Sequence, residues 1–172
     1  MMSWLPEEYI VVFSNRFLQS ALIVILSMVI AKIIDIIFSR IFQKIVDKTQ
    51  TDLDDQILGL LHRPIFYSIL FIGFSIAIKT INIPADFEFA FVGIFKTITI
   101  LIWLFVSMKI LVISMDWAVN KITNPLLQKK TIPLFNNLGK IAIGLFGIYF
   151  IFLSWDININ GILASAGVLG VV

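Results

Sequence analysis

Residues 89–115 read FAFVGIFKTITILIWLFVSMKILVISM. Apart from Lys96 and Lys109 the stretch is uncharged, and Ile, Leu, Phe and Val dominate it. A helix crosses the hydrocarbon core of a bilayer with about 20 mostly apolar residues. Backbone N–H and C=O groups in lipid must be satisfied inside their own segment, which predicts an α-helix here. A barrel strand would alternate over roughly ten residues, and this run is continuous.

Working outward, three more runs qualify as spans: Val11 to Ile33 with an apolar continuation to Phe38, Leu60 to Ile81, and Leu134 to Leu153. A fifth apolar segment runs from Ile159 to Val172 and is too short to cross. It reads as the start of a helix that is cut short. The expected fold class is therefore an all-α membrane protein with four full transmembrane helices plus the start of a fifth, glycine- and alanine-rich helix. The expected division is 1–153 for the four-helix region, with a cytoplasmic helical hairpin near 39–63, and 154–172 for the opening of the fifth helix.

Composition agrees. Of 172 residues 59% are hydrophobic and 14% charged, and the mean hydropathy is +1.01. Soluble domains hold roughly 45–50% apolar and about 25% charged residues, and disordered chains lie further still from these values. Cysteine is absent, so there is no disulfide framework, thiolate zinc site or thiol nucleophile. A net charge of +2 gives no reason to expect nucleic acid. Glu7 and Glu8 precede the first apolar run, unlike the basic start of a signal peptide.

Loop charges predict orientation. Arg40, Lys44, Lys48 and Arg63 lie between the first and second spans, and Lys121, Lys129 and Lys130 between the third and fourth. The 82–88 and 154–158 connectors hold no Lys or Arg. Basic loops stay cytoplasmic. The N-terminus is thus expected outside the cytoplasm, and the fifth helix should run inward, in a multi-pass protein of the cell (inner) membrane. Trp4, Tyr9, Tyr149 and Trp155 then fall at the outer interface, Tyr67 and Trp117 at the inner one, and Trp103 mid-span.

Lys32, Asp35, Lys79, Lys96, Lys109 and Lys140 interrupt the spans. Lysines near span ends can snorkel to the headgroups. Asp35 lies three residues after Lys32, so the two can pair on one helix face. A proton relay through Asp35 would need a partner on another span. In the 39–63 connector, Ile41, Phe42, Ile45 and Val46 repeat at helical spacing, as do Leu53, Ile57, Leu60 and Leu61. Thr51 or Asp52 serves as N-cap of the second arm. Arg40, Lys44, Lys48 and Arg63, together with Lys129 and Lys130, are candidates for contacts with anionic lipid headgroups; an ordinary positive-inside loop is the competing reading.

Parts for an enzyme are missing. The single histidine, His62, has no sequence-adjacent partner and reads as structural. Asp52, Asp54 and Asp55 lack the further oxygen ligands of a calcium loop and fit a helix N-terminus. No metal or cofactor is expected. The glycines are more informative. Gly139, Gly144 and Gly147 punctuate the fourth span, and Gly161, Ala164, Ser165, Ala166, Gly167 and Gly170 crowd the fifth segment. Small residues let membrane helices approach closely, and Ala166 with Gly170 forms a small-xxx-small pair.

Residues 155–172, WDININGILASAGVLGVV, resemble the lead-in and opening of the pore helix in the small-conductance mechanosensitive channel (MscS) family. In that family a short polar turn precedes a glycine- and alanine-rich helix. Copies of the helix, one per subunit, surround the pore of a homo-heptamer. Residues 132–140 (IPLFNNLGK) and the stretch from Asp52 to Pro64 are similar to longer members, which place extra helices outside the pore helix. The resemblance implies a homo-oligomeric ion channel subunit gated by membrane tension, with lipids, ions and its own copies as partners. It implies packing roles for Gly167 and Gly170, and puts Val171 at the first apolar constriction, where leucine is usual. Helical spacing separately sets Ala164, Val168 and Val171 on one stripe, expected to line the pore, and Ala166 and Gly170 toward the neighbour. Two other classes remain open: a secondary transporter, which needs polar or broken helices at the midplane, and a non-conducting scaffold whose glycine helix merely associates.

Overall fold

The computed structural model describes residues 15–46, 52–121, 125–161, 164 and 167. These form four long helices: α1 (Arg16–Val46), α2 (Asp52–Ile81), α3 (Ala85–Lys121) and α4 (Pro125–Ser154). Each contains a stretch long and apolar enough to cross a membrane: Arg16–Arg40, Asp55–Ile81, Ala85–Val119 and Ile132–Ser154. At most 17% of any of these apolar windows is buried within the chain. Phe17, Ile25, Ile72, Phe105, Leu145 and Phe146 all stand exposed. Such a surface requires a hydrocarbon solvent, and the chain is a multi-pass membrane protein.

Local chemistry sets the helix ends. Asn15 caps α1, its Oδ1 accepting the Phe17 N–H at 3.0 Å. The expected first span opened at Val11, and residues 11–14 lie outside the described residues. Asn82 ends α2 in the left-handed region, at φ 62°. Pro84 opens α3 by accepting the N–H groups of Phe87 and Glu88 at 3.0 and 3.1 Å. Lys79 in the last turn of α2, and Asp86 and Glu88 in the first turn of α3, all suit the helix dipoles.

Two helices run through prolines, Pro64 in α2 and Pro133 in α4. Of the residues expected in a cytoplasmic helical hairpin near 39–63, 39–46 belong to α1 and 52–63 to α2, each continuous with its span, and 47–51 lie outside the described residues.

The chain divides into two compact units, Met1–Phe95 and Lys96–Val172, with the boundary inside α3. In the first, α1 and α2 pack as an antiparallel pair. Phe95, at the start of α3, stacks on Phe71 at 5.6 Å and meets Phe74 at 5.7 Å between ring centroids. In the second, α3 and α4 meet at Leu104 and Leu111.

Candidate functional site

The α1–α2 contact is made by small residues. Ser20, Ser27 and Ala31 of α1 are buried, as are Gly73 and Ala77 of α2. Both serine hydroxyls donate to their own helix: Ser20 Oγ to the Phe17 carbonyl at 2.9 Å, and Ser27 Oγ to the Val24 carbonyl at 2.8 Å. They therefore offer α2 a small surface with its polar atoms satisfied. At Gly73 an added Cβ would collide with both Cβ and Oγ of Ser27. The Cβ is fixed to the α1 backbone and cannot swing away, and Ser27 Cα lies 3.6 Å from the added atom, so the helices touch here almost backbone to backbone.

Closer to the α1–α2 connection the contact becomes polar. A hydrogen bond of 2.8 Å joins His62 Nδ1 on α2 to Asp35 Oδ1 on α1. An ionised carboxylate can only accept, so with Asp35 ionised the ring donates from Nδ1–H. Lys32 Nζ lies 4.0 Å from the other carboxylate oxygen, the i,i+3 pair expected from the sequence. Phe38 presents to His62 edge-on, with centroids 5.5 Å apart and an interplanar angle of 88°. Ser39 Oγ donates to the Asp35 carbonyl at 2.8 Å. His62, expected to be isolated, thus has a carboxylate partner on another span. Sequence spacing could not show this, because the two residues are 27 positions apart and meet only through the hairpin.

In the second unit, contacts run through leucine side chains. An added Cβ at Gly139 would come within 2.7 Å of Leu111 Cδ2, and one at Gly147 would overlap Leu104 Cδ1. Beside Gly147, between α3 and α4, lies an apolar groove of about 400 Å³ lined by Trp103, Leu104, Ser107, Ile143 and Phe150. Trp155 Nε1 donates to Thr97 Oγ1 at 2.9 Å, tying the residue after α4 to α3.

The turn that follows α4 is a double cap. Asp156 is left-handed, at φ 53°. Its N–H bonds the Leu153 carbonyl at 3.2 Å, and the Ile157 N–H bonds the Phe152 carbonyl at 3.0 Å. This is the Schellman arrangement that closes a helix. Two residues on, Asn158 Oδ1 accepts the Asn160 N–H at 3.0 Å, the geometry of an N-cap. Asn160, Gly161, Ala164 and Gly167 are helical.

Of the residues expected to line or pack a pore, Ala164 and Gly167 are exposed, with nothing within 4 Å of an added Cβ at Gly167. Ala166, Val168, Gly170 and Val171 lie outside the described residues. Among the headgroup candidates, Arg40 and Arg63 are exposed on α1 and α2, Lys44 lies on α1, and Lys129 and Lys130 lie on α4, while Lys48 is outside the described residues. Lys32, Lys79, Lys96 and Lys109 are exposed and Lys140 half-buried. Gly144, the third glycine of the fourth span, has nothing within 4 Å of an added Cβ. No group of three or more His, Asp or Glu residues that could hold a metal ion occurs among the described residues.

Compared with known proteins, the chain is 22% identical over 171 residues to an "Uncharacterized MscS family protein" of Aquifex aeolicus (strain VF5). The match covers 90% of this chain and 42% of that protein, so the chain spans less than half the length of its relative. No protein-family model and no solved structure matches the chain.

Proposed function

We propose that this chain is the membrane region of a mechanosensitive channel subunit of the MscS family, in which four outer spans surround the start of a pore helix. The observation that carries the reading is the alignment along nearly the whole chain with a protein bearing that family's name. The double cap at residues 153–160 supports it, because a helix end followed directly by a new N-cap is what a turn into a fifth helix requires.

In this reading the fifth helix packs against its copies through Ala166, Gly167 and Gly170, in a ring that the family resemblance makes a heptamer. Ala164, Val168 and Val171 face the axis, and Val171 closes the pore by making the constriction unfavourable for water. The N-terminus lies outside the cytoplasm. Arg40, Lys44, Lys48, Arg63, Lys129 and Lys130 meet inner-leaflet headgroups. Tension acts only through a difference between closed and open states, here in the lipid-facing area of the outer spans.

Replacing Val171 by Asn in the full-length protein wets the constriction with little added bulk. Patch recordings under graded suction should show opening at lower tension than wild type. An unchanged threshold with normally assembled protein removes Val171 from the gate, and no current from the wild-type protein removes the channel reading.

A further inference from the structure

We propose that Trp155 and Thr97 form a clasp that closes the open end of the α3–α4 hairpin and fixes where the segment after α4 departs, which makes Trp155 a positioning residue for that segment. The inference needs only α3, α4 and the turn that follows, so it stands or falls separately from the channel reading.

The two ends of this hairpin are held differently. At one end α3 stops at Lys121 and α4 starts at Pro125, so the chain itself joins them. Close to that joined end α4 has a weak point. Pro133 has no N–H for the Lys129 carbonyl. Asn136 Oδ1, about one turn further on, is buried without a hydrogen-bond partner among the described residues. A helix bends more easily at such a proline than in an unbroken stretch. At about 1.5 Å per residue, Ser154 lies about 32 Å beyond Pro133, so each degree of bending moves the far end of α4 by about 0.5 Å.

The contacts between these ends follow α4 rather than hold it. Gly139 and Gly147 face the ends of Leu111 and Leu104, whose methyl groups move with a rotamer change. Beside Gly147 the groove between the helices leaves about 400 Å³ unfilled.

At the far end the clasp supplies a directional bond. Trp155 Nε1–H donates to Thr97 Oγ1 at 2.9 Å across 58 positions of sequence, in a partly buried place. An indole nitrogen only donates, and a threonine hydroxyl accepts as well as donates, so the two fit one way round. Opening the clasp would leave the indole N–H short of an acceptor, at a cost.

From the clasp, position passes on without a free link. The Asp156 and Ile157 N–H groups are bonded back to the Leu153 and Phe152 carbonyls, and Asn158 Oδ1 accepts the Asn160 N–H. Ser154 before the turn and Ile159 after it are both buried. The helical residues Asn160 and Gly161 therefore start from a turn held by α3 as well as by α4.

The test uses the full chain in lipid nanodiscs, with labelled protein diluted in an excess of unlabelled, so that pulsed electron paramagnetic resonance reads distances within one chain. One pair of spin labels is placed on cysteines replacing Phe105 on α3 and Gly161 after the turn. A control pair replaces Asp116 on α3 and Leu138 on α4, near the joined end. All four sites are exposed, an added Cβ at Gly161 meets nothing within 4 Å, and the chain has no cysteine of its own. Thr97→Val keeps the shape and removes the acceptor. The fraction of displaced 105–161 pairs should rise about fivefold, equivalent to about 1 kcal/mol, with the 116–138 pair unchanged. Thr97→Ser keeps the hydroxyl and should match wild type. Trp155→Phe should displace the same pair, and combining it with Thr97→Val should add little, since either change alone loses the bond. An unchanged 105–161 distribution in Thr97→Val, equal broadening of the control pair, or a Thr97→Ser variant that behaves like Thr97→Val overturns the clasp. If Thr97→Val loses its helical circular dichroism, Trp155→Phe decides, and an unchanged distribution there overturns the proposal.

Discussion

The two helix contacts in this chain use small residues in different ways. In the first unit, Gly73 faces the Ser27 Cβ, which is fixed to the α1 backbone, and the serine hydroxyl is already bonded within its own helix. In the second, Gly139 and Gly147 face the ends of Leu111 and Leu104, atoms that can move by changing rotamer. The first contact is set by backbone approach and the second by side-chain packing. A rigid contact carrying a polar bond suits a fixed element, whereas a leucine-mediated contact beside an open groove can adjust.

The sharpest way to break that contrast is to add one methyl group to each side. Gly73→Ala should cost about 2–3 kcal/mol, because the helices must separate to admit it. Gly147→Ala should cost about 1 kcal/mol or less, because Leu104 can yield. Reversible unfolding in mixed detergent and SDS micelles measures both, and equal costs would erase the distinction between the contacts. Next in size is the polar tie of the second unit. Trp155→Phe keeps an aromatic side chain but loses the bond to Thr97 Oγ1 and one of the two indole rings, and should destabilise the chain by about 1 kcal/mol or somewhat more in the same assay. The smallest effects have the opposite sign. Asp156→Gly relieves the left-handed conformation at φ 53° and should stabilise by up to about 1 kcal/mol. Asn82→Gly should gain less, since asparagine tolerates that region better than most residues.

Much of the fold was readable because membrane helices advertise themselves through apolar length. The third span, for example, was expected from Phe89 to Met115 and is found within Ala85–Lys121. Caps rather than hydropathy decide some helix ends, as at Asn15. The second span, expected from Leu60 to Ile81, already ran through Pro64, and α2 and α4 continue through Pro64 and Pro133, because neighbouring groups in a membrane helix can compensate a missing N–H. The candidate site was harder still. Ser27 and Gly73 carry no motif that singles them out, although Ser20, Ser27 and Ala31 on one face, and Gly73 with Ala77 one turn apart, were a readable sign of close packing. His62 looked isolated because its partner is distant in sequence, and only the antiparallel pairing of α1 and α2 joins them.

The Ser27–Gly73 contact also constrains how this protein can drift over evolutionary time. The two positions share one small fixed volume, so neither can enlarge unless the other shrinks. An alanine at Gly73 becomes tolerable mainly after Ser27 has become glycine, and lineages that reach the two changes in the reverse order pass through a damaged intermediate. Positions 27 and 73 should therefore vary together among relatives, in compensating sizes, while the leucines opposite Gly139 and Gly147 vary more independently.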